Sequence, residues 1–167
     1  MAAKKWNLAS YPDIHRLEDK VEDKMKSKVW DLIVRQMEYI GEKCIAIARD
    51  KNRANTWGDV TGNLRSSIGY VVQVNGKPVR KGPEMIFQGQ DGARGSQGPV
   101  EARRLMKSLQ GIHASGVELI VVAGMEYAEY VEVIHHKDVL SSAQQEGEKT
   151  AKLILERLFE KVKGKRQ

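Results

Sequence analysis

The chain reads as an α+β domain in which the strands of one sheet lie between a long N-terminal helix and a C-terminal helix. Three observations predict it. Apolar residues recur every three or four positions from Ile14 to Ala48; the segments Ile68-Gly-Tyr-Val-Val-Gln-Val74 and Val117-Glu-Leu-Ile-Val-Val-Ala123 are apolar and β-branched; and a second helical stripe runs from Leu140 to Val162. With 167 residues, 41% hydrophobic and 30% charged, the chain suits a single domain that buries about two-thirds of its unfolded surface.

The first helix is expected to start at Ser10, a capping residue, with Pro12 tolerated in the first turn and Asp13 facing the positive helix end. Its stripe persists to about Asp50. Some 36 helical residues would measure about 54 Å, against a globule roughly 40 Å across. Either the helix bends or breaks, with Gly41 the candidate, or its N-terminal part overhangs and covers its stripe with another subunit. Residues 52–58 read as a loop. Thr61 is expected to cap a short helical turn through Ser67 that leads into the strand 68–74. Asn75-Gly76 signals a hairpin, and a returning strand lies between Lys77 and Gln88, irregular or at an edge because of Pro78, Gly82 and Pro83.

Gly89, Gly92, Gly95 and Gly98 recur every third residue, too briefly and with too little proline for a triple helix. Their small polar surroundings predict a mobile loop over about 88–99, able to order against a neighbour. Pro99 opens a helix from Val100 to Leu109 that Gly111 stops. The apolar run 117–123 is a buried strand, and Met125 to Val133 form a turn or short helix. The last helix spans about 138–163, with Leu140, Ala143, Gly147, Ala151, Ile154, Leu158 and Val162 inward. Gly147 interrupts that pattern at a cost of up to about 1 kcal/mol, which points to a close crossing.

Several function classes find no support. No run reaches the roughly 18 apolar residues of a membrane span, and Met1-Ala-Ala-Lys-Lys-Trp6 lacks the apolar core of a secretory signal, so the chain is expected to stay in the compartment of its synthesis. Of Trp6, Trp30 and Trp57, Trp6 lies outside the first helix and is the one expected to dock elsewhere. Cys44 is the sole cysteine and falls in the apolar stripe, as a buried structural thiol does. The formal charge of +6 raises a DNA-binding alternative, but acids interleave most basic residues. Only Arg103, Arg104 and Lys107, and the frayed C-terminal group Lys161, Lys163, Lys165 and Arg166, stand out.

No phosphate-binding Gly-Lys-Ser/Thr sequence, dinucleotide fingerprint or nucleophile elbow is present. Glu126, Glu129, Glu132, His135, His136 and Asp138 have the residue types of a divalent-metal nuclease site. Helical spacing would bring Glu129 and Glu132 together, yet adjacent histidines diverge and no His-x-x-x-His pair exists. A polar surface is the expectation, with no enzyme activity, no metal and no cofactor.

Thr61-Gly-Asn-Leu-Arg-Ser-Ser-Ile68 and Ala123-Gly-Met-Glu-Tyr-Ala-Glu-Tyr-Val-Glu132 together resemble the tail-completion, or head–tail joining, proteins of long-tailed phages and prophages. Members carry a Thr-Gly-x-Leu-Arg-x-Ser-Ile turn entering a central strand and, later, a strand running into Tyr-Ala-x-Tyr-Val-Glu. The likeness covers roughly residues 61–138. It implies an antiparallel sheet of about three to four strands flanked by helices, and a noncatalytic structural protein that sits as a ring, sixfold when assembled, at the virion neck around the DNA path. Implied partners are copies of itself, the head connector or adaptor, and the tail tube or tail terminator, with assembly in the host cytoplasm. Where many relatives have a Gly-Thr turn and a Pro-Phe stretch, this chain has Val133-Ile-His-His-Lys-Asp-Val-Leu140.

The motif residues are therefore the candidate assembly site: Thr61, Gly62, Asn63, Leu64, Arg65 and Ser67, with Tyr127, Ala128, Tyr130 and Glu132. Each has a local reading as well. Gly62 permits an unusual backbone and Leu64 anchors the turn to the core. Arg65 is expected to pair with an acid such as Glu132 inside the fold, the alternative being a reach across a subunit contact. Tyr127, Tyr130 and Val131 are expected to pack in the core; exposed, the two tyrosines would be interface anchors.

Overall fold

Strand β2, Ile68–Val74, turns back through Asn75 and Gly76 into β3, Lys77–Lys81. Both turn residues have positive φ, +50° and +75°, the backbone that a two-residue hairpin with the natural strand twist requires. In this computed structural model, residues 2–7, 23–53, 55–112 and 115–164 are described. Among them a four-stranded sheet has the order β1-β4-β2-β3, with β1 Ala2–Asn7 and β4 Val117–Ala123. Every neighbouring pair is antiparallel. β2 and β4 coincide with the segments expected from sequence. Pro78 places β3 at the edge with a register shift opposite Val72 and Gln73, and all five of its residues are exposed.

Three longer helices and two short ones surround this sheet: α1 Asp23–Arg49, α2 Asn63–Ser66, α3 Gln97–Ser108, α4 Ala128–Val133 and α5 Ser141–Gly164. The expected start of the first helix, around 10–22, lies outside the described residues. What is described of α1 runs unbroken through Gly41. β1 was not foreseen: it pairs with β4 so that Trp6 stands opposite Leu119 in the register.

α1 covers one sheet face, and α5 packs against α1. Met37, Ile40, Cys44 and Ala48 of α1 meet Tyr70, Val72, Leu119 and Val121, with Leu140, Ala143, Ala151 and Leu155 completing the cluster. On the opposite face, Ala102 and Leu105 of α3 pack on Val71, Ile120 and Val122. Cover on both faces explains why β4 is buried along its whole length and reads as a continuous apolar run. The polar exceptions, Gln73 and Glu118, share the α3 face, and the Gln73 amide donates to the Glu118 carboxylate.

Small residues allow α5 to approach α1. The Cys44 thiol donates to the Ala143 carbonyl at 3.3 Å, and Lys43 reaches Glu146 at 3.1 Å. Gly147 is buried on the same side of α5 as Ala143 and Ala151, so its position suits the crossing expected of it.

Gly41 also acts through its missing side chain. The Tyr70 ring lies between Gly41 and Gly82; a methyl group on either would come within 2.6 Å of the ring. The Tyr70 hydroxyl donates to Glu42 at 2.7 Å. Burial first, then the hydrogen bond and charge of Glu42, hold the phenol well above its ordinary pKa.

Gly41→Ala should destabilise the protein by about 1–3 kcal/mol in chemical denaturation, because overpacking against Tyr70 outweighs a helix-propensity gain of about 1 kcal/mol. An alanine variant that is more stable than the parent would refute the ring contact. Cys44 generates a pH dependence. Burial pushes its thiol up from 9.0 to about 12. A pKa higher in the folded than the unfolded chain gives stability that is complete below the unfolded value and lost as pH rises through the folded one. Stability should therefore fall between about pH 9.0 and about 12, and less steeply in Cys44→Ala; equal slopes in denaturation at stepped pH would contradict this.

Candidate interaction site

The first motif forms the turn that delivers the chain into β2. Gly62 has a φ of +73° and occupies the N-cap position of α2 itself, without a side-chain capping bond. The expected Thr61 cap is thus corrected: Thr61 sits one residue too early, and its hydroxyl accepts only a long 3.4 Å bond from the Asn63 amide. Leu64 is buried, as an anchor should be. The Asn63 side chain accepts from the Gln97 amide at 3.2 Å and the Ser66 hydroxyl from the Phe87 amide at 2.8 Å, tying the turn to the Gly-rich run and what precedes it.

Composition suggested a mobile loop for that run, but not the packing role of its glycines. Methyl groups at Gly89, Gly95 and Gly98 would each lie under 3.0 Å from the backbone of residues 60–63. Gly92, with φ +81°, turns the tight loop that pairs Gln88 with Arg94. Backbone bonds from Gln90 to Asp59 (2.9 Å) and from Asp91 to Val60 (3.1 Å) join the two segments, and one from Gly95 to Phe87 (3.0 Å) closes the loop on itself. Three of the four periodic glycines thus serve the close approach of two segments of the chain, and the fourth, Gly92, serves a turn.

The two motifs meet at Ser67. Its carbonyl accepts from the Gly124 amide at 3.0 Å, and its hydroxyl accepts a 3.4 Å bond from Met125. Arg65 and Glu132 do not carry the contact, contrary to expectation. Arg65 donates through Nε to the Arg49 carbonyl at 2.8 Å and stacks 4.1 Å from the Phe87 ring centre. Glu132 accepts from the amides of Leu140 (3.2 Å) and Ser141 (2.8 Å) and from the Ser141 hydroxyl, so its carboxylate serves the start of α5.

In the second motif, Ala128 is fully buried and Val131 packs against the main core. The tyrosines differ from the core packing expected of them. Tyr127 is 41% exposed and Tyr130 54%, and both lie close in sequence to Val133 and Ile134, each 57% exposed. A six-residue helix turns one side inward, and Ala128 and Val131 occupy it. Tyr130 meets the His135 ring edge-on at 4.9 Å. Partial burial raises the Tyr127 pKa, offset by a hydrogen bond with Thr61 and reinforced by the charge of Asp59.

The acidic and imidazole cluster does not converge. Asp138 forms an ion pair with Arg53, both side chains only 12–13% exposed, and accepts from the Ser142 amide at 3.0 Å. Among the described residues no three His, Cys, Asp or Glu side chains group so as to hold a metal ion. No described helix is long and apolar enough to cross a membrane. The Arg53–Asp138 pair, 85 residues apart in sequence, carries no local signal that would have revealed it.

Comparison with protein-family models, with curated proteins and with solved structures returned no match.

Asp138→Ala should lower stability by about 3 kcal/mol, because it strands the Arg53 guanidinium and removes a cap from α5. Arg53→Ala and the double variant complete a thermodynamic cycle. Strict additivity would show that the two side chains do not act together.

Proposed function

We propose that this chain is a noncatalytic structural protein of a phage or prophage that completes the tail and joins it to the head connector, as a ring at the neck. The supporting observation is the junction at Ser67: the two motifs that carry the family resemblance bond to each other directly and form one unit. That unit presents Tyr127, Tyr130, Val133 and Ile134 outward, side chains that suit a protein contact better than chemistry. Its acids have in-fold duties, Glu132 at the start of α5 and Asp138 with Arg53. On this reading, copies of the chain and the head-connector and tail proteins are its partners, in the host cytoplasm during assembly and in the virion afterwards.

The DNA-binding alternative draws on net charge alone. Arg103 and Arg104, the main internal basic group, face Glu84 and Glu101, which weakens the field they offer to phosphates.

Deletion of the gene from its phage or prophage should give filled heads and free tails by electron microscopy, with joining restored by the wild-type gene. A Tyr127→Glu, Tyr130→Glu double variant that folds normally should fail to restore it. Normal joined virions from the deletion strain would exclude the proposed role.

A further inference from the structure

A cavity of about 500 Å³ opens beside β3, between the 81–84 segment and α3. Gly69 and Val71 of β2 form its floor; Val79, Pro83, Ala102 and Met106 line its walls. The space exists partly because position 69 has no side chain: a methyl group there would meet only Met106, in ordinary contact at 3.6 Å. β3 is the sheet edge and its five residues are exposed, so among the described residues the hollow lies along an uncovered flank.

Its charges are one-sided. Arg49, Arg80, Lys81 and Arg103 line it against Glu84 alone. Arg103 pairs with Glu84, and Arg80 lies 3.7 Å from Glu38. Among the described residues, Arg49 and Lys81 have no carboxylate at ion-pair distance. Arg49 is only 6% exposed. Its Nη2 donates to the carbonyls of Ile68 (2.6 Å) and Pro83 (3.2 Å), while its buried Nε has no partner. Burial lowers its pKa, against the charge of Glu42 and with that of Arg65. A guanidinium held by carbonyls, without a counter-ion, is an incomplete electrostatic arrangement that an incoming anion would complete.

We propose that this hollow binds an extended segment of a partner protein in which an apolar side chain is flanked by Asp or Glu. The apolar group sits over Val71 and Met106, and the carboxylate faces Arg49 and Lys81. The open flank favours a passing chain over a small acid, since small-ligand sites enclose most of their ligand. Pockets beside an edge strand are a recurrent means of reading extended peptides. Here Pro78 and the bond from the Arg80 guanidinium to the Val79 carbonyl at 2.9 Å limit main-chain pairing, so side chains and charge carry the recognition. Apolar walls likewise disfavour a nucleic-acid backbone. The inference does not depend on a role at a phage neck.

The test is selection of a random decapeptide display library against the purified full chain. Selected peptides should converge on Leu, Ile, Met or Phe beside Asp or Glu. Their Kd should rise at least tenfold with Gly69→Val, which fills the floor, and with Lys81→Glu, an exposed charge reversal, each variant retaining the parent melting temperature. If Gly69→Val does not fold, the Lys81→Glu result decides. No common sequence, or binding indifferent to the substitutions, overturns the proposal. So does equally effective displacement by decanoate, which would assign the hollow to small acids, or by duplex DNA, which would assign it to phosphates.

Discussion

The fold depends on main chain meeting main chain around residues 62–67. Gly89, Gly95 and Gly98 bring the preceding loop and the start of α3 onto this turn, and Gly124 brings the end of β4 against the backbone of Glu101 and Ala102. Polar backbone groups forced this close need partners. They find them in the bonds from Gln90 to Asp59, Gly95 to Phe87 and Gly124 to Ser67. Because the approach places α3 over Val71, Ile120 and Val122, it also accounts for the two-sided burial of the central strands.

Where a single segment contained its own cause, the sequence was legible. The strands 68–74 and 117–123, the Asn75-Gly76 turn and the helices α3 and α5 each follow from composition, period or turn chemistry within a few residues, as does the C-terminal end of α1, its expected start lying outside the described residues. Features with distant causes were not. β1 carries two lysines and shows its role only in register with β4. Gly41 looked like a helix breaker because its true neighbour, Tyr70, lies on another element. Arg65 and Glu132 were wrongly matched, because a carbonyl and a helix start satisfy them as well as each other would. The tyrosines misled for a further reason: in a helix as short as α4, Ala128 and Val131 already fill the inward side.

Such a division bears on function. The Ser67 junction ties the segment that carries the outward Tyr127 and Tyr130 to the turn entering β2 at the end of β4. Preorganised aromatic side chains lose little entropy on binding, a reason for assembly contacts to favour them.

The arginines around the end of α1 give the excess of basic charge a structural purpose. The last carbonyls of a helix lack partners within it and attract positive charge. Here the Ala48 carbonyl accepts from Arg53 and the Arg49 carbonyl from Arg65, while Phe87 and Trp57 supply ring faces to the same group of cations. Arg53 is neutralised by Asp138, and Arg65 is only partly buried. Arg49 has neither relief: it ties β2 to the 83 turn through two carbonyls and remains buried without an acid. Its side chain is thus both a strut that shapes the β3 hollow and, with Lys81, one of the two cations there that have no acid at ion-pair distance among the described residues.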